Sequence, residues 1–370
     1  MKNFLLEPSG KIVFGGGCVR EYLADFARRY GPNTLLVTGV RSGRENGACD
    51  EVLRGLAAAG KQVAELSCAS RGPDYETVRR GARIAREQQV DLIVGVGGGS
   101  VIDCCKAVAM AAVFRGDLWE NYWARPGVVD FQPLPVGIVP TTLGTGELNG
   151  AAVLVRQGVR EVRSYPQCAP RFVLFDPAYT RTLPRKQILS DGFRIFSRAM
   201  ELYLAPPATG AAVTDGLLEA LMGSVAAALR SGTYQNDERR ANLMWAGALV
   251  GNAIFQAGKR CDQSCRRAAL ALAERTGRDF TDCLAACLLS ACRAACREQP
   301  ERMAGLAERV WGIAGRPAAE LARAGADALA AFVQDLGFSA EGDARRPGEN
   351  RKVDTAKRIG TSAQQECGLS

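Results

Sequence analysis

The sequence predicts an α/β domain followed by an all-helical domain. Up to about residue 180, short apolar runs alternate with segments of helical period. The apolar residues in those runs are continuous rather than alternating, most clearly in LIVGVG at 92–97, as in strands of a parallel sheet covered on both faces. From about Pro184 onward the strand-like runs stop, and apolar residues recur three and four apart.

The elements follow in order. Residues 11–15 (KIVFG) and 33–39 (NTLLVTG) read as strands that end in glycine. Residues 44–60 read as a helix, 62–66 (QVAEL) as a strand and 74–89 as a helix. Residues 90–100 (VDLIVGVGGGS) form an apolar strand running into glycines, followed by a helix over 101–114 and a strand and turn at 135–142 (PVGIVPTT). Beyond Pro184, DGFRIFSRAMELYL (191–204) and five later segments carry helical period. The last thirty residues have no aromatic and no apolar period, the composition of a loose tail. The expected division is an α/β domain over 1–185, a helical domain over 186–340 and a tail over 341–370.

Composition narrows the function. The chain is 47% hydrophobic and 23% charged, as in ordinary globular proteins. No uninterrupted apolar run reaches the ~18–20 residues of a membrane span, and residues 1–17 lack signal-peptide architecture. The expectation is a cytoplasmic protein with no membrane partner. The net charge of +8 is scattered, without a basic block interleaved with aromatics. Nucleic acid is therefore not expected as a partner, whereas a phosphate-bearing ligand suits the charge. Thirteen cysteines without an export signal read as thiols. The chain has no histidine, so no imidazole serves as base, proton shuttle or metal ligand.

Two loops carry the functional signal. Gly97, Gly98, Gly99 and Ser100 lie between a buried strand and a helix start, where free N–H groups attract phosphate. A tight strand–helix turn needs small residues too, but three glycines and a serine exceed that need. The second loop, PTTLGTGELNG (140–150), offers hydroxyls and glycines of the same kind.

VGGGSVID, followed about forty residues later by PTTLGTGELNG, resembles the iron-containing (group III) alcohol dehydrogenases. KIVFGGG, YETVRRG, GDLWENYW, RFVLFDPAYTRTLP and VWGIAG extend the likeness over residues 5–335, the last pointing to the butanol-dehydrogenase-like branch. The resemblance implies a Rossmann-like NAD(P) domain, a helical domain in the dehydroquinate-synthase-like arrangement, and hydride transfer between NAD(P)H and an aldehyde or alcohol. It implies a homodimer or larger assembly. It also implies pyrophosphate contacts at Gly97, Gly98, Gly99 and Ser100 with Asp103 behind them. Thr141, Thr142 and Thr145 would lie near the phosphates and nicotinamide ribose. One departure affects these contacts: where the family reads G-T-G-S-E, this chain reads Gly144-Thr145-Gly146-Glu147, one residue shorter. In the turn after the second strand, Gly39 replaces the Asp of NAD-preferring members. Ser42 and Arg44 match the G-G-G-S-x-K turn of the NADP-using branch, so NADP(H) is the expected cofactor.

The family holds Fe²⁺ or Zn²⁺ with one Asp and three His. The first two ligands come from a helix motif in which they stand four apart, with Ser or Thr before the His and Glu three after it. Here Ser197 and Glu201 keep that frame, and Gly192 lies just upstream. Arg194 stands at the Asp position and Arg198 at the first His position. The third position falls on Arg266 or Arg267, of which Arg267 is taken as the site residue, and the fourth, about fourteen residues on, falls on Thr281 or Asp282. A guanidinium has no lone pair for a metal, so the family's metal is not expected here. Three roles stay open. In a metal-free reductase of an anionic carbonyl compound, the arginines clamp a carboxylate or phosphate and Ser197 or water supplies the proton. A catalytically inactive nucleotide-binding or assembly subunit is the second. The third is a relocated metal site at Cys261, Cys265, Cys283 and Cys287, continued by Cys292 and Cys296. The arginines could also simply pair with Glu201 or Asp191.

Overall fold

The structure, a computed structural model, describes residues 10–40, 42–68, 72–144, 149–206, 211–230, 232, 236–257, 259 and 263–339. The expected tail over 341–370, with Thr145 and Cys261, lies outside the described residues. The chain runs β1 (Lys11–Phe14), α1 (Cys18–Ala27), β2 (Asn33–Gly39), α2 (Ser42–Glu45), α3 (Ala48–Ala58), β3 (Gln62–Cys68), α4 (Tyr75–Glu87), β4 (Leu92–Gly97) and α5 (Gly99–Val113). After a π-helical turn at Trp119–Trp123 come β5 (Val136–Pro140), the hairpin β6 (Ala151–Arg156) and β7 (Val159–Ser164), and β8 (Phe172–Phe175). The remainder is helical: α6 (Arg185–Leu204), α7 (Ala211–Arg230), α8 (Asp237–Val250), α9 (Ser264–Thr276), α10 (Phe280–Glu298), α11 (Pro300–Trp311) and α12 (Ala318–Asp335).

Six strands form one parallel sheet in the order β1-β8-β5-β4-β2-β3. This is the α/β-plus-helical architecture expected from the sequence. The uniformly apolar strands have the predicted cause: every residue of β4 and β5 is buried, with α4 and α5 on one face and α1 and α3 on the other. The chain leaves β2 for β3 on one side and returns to β4 on the other. That reversal opens a crevice at the carboxyl ends of the strands, the usual ligand site of such sheets. β2 ends there at Gly39, β4 at Gly97, and β5 at Pro140, just before Thr141.

Two features differ from the sequence expectation. The stretch 44–60 is broken: α2 and α3 are separated at Gly47, whose φ of 79° ends one helix and caps the next. The β6–β7 hairpin was not foreseen, because its strands are half exposed and carry Arg156, Arg160 and Arg163 among the apolar positions. Among the described helices α7 alone is long and apolar enough to cross a membrane by length and composition. It packs against α6, α8 and α11, and its Asp215 and Glu219 bind Lys259, Arg302 and Arg309. It is the core helix of the second half.

α6 directs one face at the crevice because its other faces are packed. Gly192 meets α7 so closely that a Cβ would lie 2.6 Å from Leu229 Cδ2. Phe193 and Phe196 are buried and make tilted ring contacts with Phe338 and with Trp311 and Phe332. Between Ile188 and Tyr203 only Arg194 and Arg198 keep solvent access.

Candidate active site

The glycine turn after β4 divides its labour. A Cβ on Gly97 would lie 2.6 Å from Val101 Cγ2, and one on Gly98 would lie 2.9 Å from Thr142 Cγ2. Both glycines are therefore required by packing. Gly99 is different: it is exposed, and a Cβ there would meet nothing within 4 Å. Its open side, at the first turn of the fifteen-residue α5, is where a phosphate can approach the helix N–H groups. Ser100 Oγ accepts the Gly72 N–H at 3.1 Å. The two functional loops meet, since Thr142 touches Gly98 and the Thr141 N–H donates to Gly97 O at 3.0 Å. Thr141 is fully buried, and its Oγ1 has no partner. Thr145, in the shortened loop, is not described.

Asp103 follows one turn along α5. Burial pushes its carboxyl up to about 6, against the pull of Lys106, the Val153 N–H, Arg266 and Arg160. This links three parts of the chain: α5, the hairpin through Arg160, and α9 through Arg266. The ammonium of Lys106 is turned to the hairpin, donating to Ala151 O at 2.9 Å.

Opposite lie the arginines. The Arg194 guanidinium is 3.7 Å from Asp191 Oδ1 and 3.5 Å from Thr281 Oγ1, with Cζ 5.3 Å from the centre of the Phe280 ring. Arg198 lies 3.5 Å from Glu201 Oε2. The other oxygen of Glu201 accepts the Arg266 N–H at 3.1 Å in the first turn of α9. That turn needs an outside acceptor, because Gln263 at its start contributes no side-chain cap. One carboxylate thus fixes α9 to α6 and holds Arg266 beside Arg198. The Arg266 guanidinium is pushed below its ordinary pKa by burial and by the charges of Arg194 and Arg198, with Asp103 and Glu201 opposing.

Asp191 is 5% exposed, and burial pushes its carboxyl up to about 6 against Arg194, the Leu143 N–H and Gln187. Its Oδ2 has no partner. Since Leu143 belongs to the second loop, Asp191 joins that loop to Arg194. Ser197 is buried, and its Oγ likewise has no partner.

Several site assignments shift. Arg266, the alternative to Arg267 at the third position, shares its field with Arg194, Arg198 and Asp103, and both arginines are surface residues of the first turn of α9. Counting fourteen residues from Arg266 lands on Phe280 instead of Thr281 or Asp282, and Phe280 is the residue beneath Arg194. Thr281 keeps a supporting place, its hydroxyl reaching Ser190 Oγ at 3.4 Å. Phe280, Arg160 and Asp191 were not singled out as site residues from the sequence. The fourteen-residue interval was the signal for Phe280, the three-residue spacing to Arg194 marked Asp191 only as a pairing partner, and nothing local marks Arg160.

The residues gathered on this side of the crevice are Arg194, Arg198, Arg266 and Phe280. None has a lone pair for a cation, so these residues do not fit iron or zinc. Among the described residues no group of three or more His, Cys, Asp or Glu side chains is placed to hold a metal ion. Cys265 and Cys283 are buried. Burial also raises the Cys287 thiol and pushes that of Cys292 up to about 12, away from the thiolate a metal requires.

On the nucleotide side, Gly39 ends β2 and Arg44 stands exposed in α2, 3.5 Å from Glu65 Oε2. Ser42 opens α2.

Comparison with known proteins agrees with the fold. The sequence profile of the iron-containing alcohol dehydrogenases matches residues 8–177. The chain is 32% identical over 344 residues to a probable NADH-dependent butanol dehydrogenase of Bacillus subtilis, covering 91% of this chain and 88% of that one. It is 30% identical over 348 residues to the NADPH-dependent aldehyde reductase YqhD of Escherichia coli, with 91% and 87% covered. The crystal structure of an NADH-dependent butanol dehydrogenase from Thermotoga maritima superposes with a TM-score of 0.82 at 25% identity, covering 91% and 85%.

Proposed function

The chain belongs to the iron-containing alcohol dehydrogenase family of NAD(P)H-dependent alcohol dehydrogenases and aldehyde reductases, and from that premise we propose that it reduces the carbonyl group of an anionic substrate without the family's metal. The observation that carries this reading is the meeting of Arg194, Arg198 and Arg266 opposite the nucleotide turn, where Glu201 ties the Arg266 backbone N–H at 3.1 Å to the same carboxylate that lies 3.5 Å from Arg198 and the charges of Arg194 and Arg198 lower the pKa of Arg266. Cations crowd in this way at a cost, which a bound anion removes.

Bound at the turn formed by Gly97, Gly98, Gly99 and Ser100, a reduced nicotinamide cofactor would supply the hydride, with its electron pair, to the carbonyl carbon. The carbonyl π pair moves to oxygen, where guanidinium N–H groups stabilise the developing charge in place of a Lewis acid. Ser197 or a water supplies the proton. A carboxylate or phosphate on the substrate occupies the remaining guanidinium donors. Arg44 gives a preference for NADPH, and the working form is a homo-oligomer.

NADPH oxidation, followed at 340 nm with excess EDTA, tests this with matched aldehydes that carry or lack a carboxylate. Turnover confined to the acidic members is expected. Turnover that requires added iron or zinc refutes the metal-free reading. A second reading is favoured by the Arg194–Asp191 and Arg198–Glu201 contacts, which let the arginines be partly satisfied within the protein: a nucleotide-binding subunit without turnover. NADPH binding with no oxidation of any carbonyl substrate would select it.

A further inference from the structure

Glu65 lies beside the turn after β2, at the far end of the proposed nucleotide site. It lies on β3, paired in register with Leu36 of β2, three residues before the end of that strand at Gly39. Its Oε2 is 3.5 Å from the Arg44 guanidinium, and both side chains are exposed, 51% and 70%. Both charges are also felt by the buried Cys49 thiol beneath them. Farther along the same strand edge, Arg80 of α4 donates to Ser67 O at 3.1 Å. Arg44, the described arginine of the turn after β2, is therefore already associated with a carboxylate.

We propose that Glu65 sets the cofactor preference of this chain, accepting a hydrogen bond from the ribose 2′-hydroxyl of NADH and competing with the 2′-phosphate of NADPH for Arg44. The inference rests on the reading that the turn after β2 receives the adenosine ribose of NAD(P)H. A 2′-hydroxyl is a donor and suits a carboxylate acceptor. A 2′-phosphate carries −1.5 to −2 charges and no such donor, so it must draw Arg44 away while lying beside Glu65. An exposed Arg–Glu pair is weak, so Arg44 can be drawn away, and Glu65 lowers the preference for NADPH without abolishing it. The native chain accordingly uses both nucleotides.

The test measures dissociation constants for NADPH and NADH by nucleotide fluorescence in the native chain, Glu65→Gln and Arg44→Gln, at low and high salt. Glu65→Gln should shift the NADPH-over-NADH ratio about three- to tenfold towards NADPH, with the shift shrinking at high salt. Arg44→Gln should move the ratio at least tenfold the other way. Thermal melts of both variants should match the native chain, because neither side chain is buried. A ratio unchanged within twofold in Glu65→Gln, or one moved towards NADH, overturns the inference while leaving the proposed activity standing. Failure of the native chain to bind either nucleotide overturns both.

Discussion

Rebuilding the family's donor set is the sharpest test of the site. The quadruple substitution Arg194→Asp, Arg198→His, Arg266→His and Phe280→His places one carboxylate and three imidazoles where the structure gathers three guanidiniums and a ring. With neutral imidazoles, the local charge changes by four units. The scale of the site is set by the 5.3 Å between Arg194 Cζ and the Phe280 ring. Even at the dielectric constant of bulk water, a dication about 5 Å from that change gains about 7 kcal/mol, roughly five decades in affinity. Four donors then add their coordination energy, which in closed tetrahedral zinc sites reaches about 10–16 kcal/mol. The assay is metal content after dialysis against zinc or ferrous iron, with circular dichroism as the check on folding. The native chain should retain less than about 0.1 equivalent and the quadruple variant about one. A folded quadruple variant that takes up no metal would show that Arg266 and Phe280 are not the third and fourth positions. A native chain that retains one equivalent would refute the conclusion that its residues do not fit a metal.

Three further outcomes follow from the same geometry. Arg198→Met should raise the KM for a carboxylate-bearing aldehyde about 10–100-fold, the value of a lost charge-assisted hydrogen bond, while the Kd for NADPH stays within twofold; equal losses in both would mean the helical half had moved as a unit. Gly99→Ala should fold with an unchanged melting temperature, because its Cβ meets open space, yet bind NADPH at least tenfold more weakly, whereas Gly98→Ala, with Thr142 Cγ2 at 2.9 Å, should lose stability. The pH dependence of stability should change in Asp191→Asn: the buried carboxyl is raised to about 6 from an ordinary 3.8, so folding favours its protonated form and native stability falls as pH rises from about 4 through 6, a loss on the order of 2–3 kcal/mol. The variant should show no such term, and melting curves for the two proteins that fall in parallel between pH 4 and 7 would exclude it.

The parallel sheet was legible because each of its strands obeys a local rule. β4 is apolar at every position, β2 has the apolar core Leu35–Val37, and both end in glycine; that pattern needs no knowledge of the neighbours. The site was legible where chain spacing alone places side chains, as at Arg194 and Arg198, one turn apart on α6. It was not legible where two distant segments must be brought into register. Choosing Arg267 over Arg266 is a rotation of about 100° about α9. That rotation is decided by Glu201 capping the helix through the Arg266 N–H, a contact across 65 residues of chain. Once α9 is turned by one position, the fourth residue moves from Thr281 to Phe280. The hairpin escaped for a different reason: its strands alternate weakly, and their exposed arginines gain meaning only when Arg160 reaches the field of Asp103.

Two arginines four apart on a helix repel by a few tenths of a kcal/mol, and a third guanidinium beside them adds to that cost. The surrounding acids show how the protein tolerates them and why an anion still has a place. Asp191 and Glu201 contact Arg194 and Arg198 at 3.7 and 3.5 Å, longer than the ~2.7–2.9 Å of a good charge-assisted hydrogen bond. Arg266 has Asp103 as its opposing charge, on a different element, and Asp103 and Asp191 are both raised to about 6 by burial. Near neutral pH the carboxylates therefore balance the guanidiniums in number but only loosely in geometry. As pH falls through 6, two of those carboxylates are lost and no guanidinium is. An anion held by this cluster should bind more tightly at pH 5.5 than at pH 7.5, opposite to a metal site, whose donors must shed protons to bind. Competition by oxalate against a carboxylate-bearing substrate, measured at both pH values with NADPH saturating, separates the two. Inhibition that strengthens with rising pH would mean that the arginines are closed on their own carboxylates and that no anion site remains.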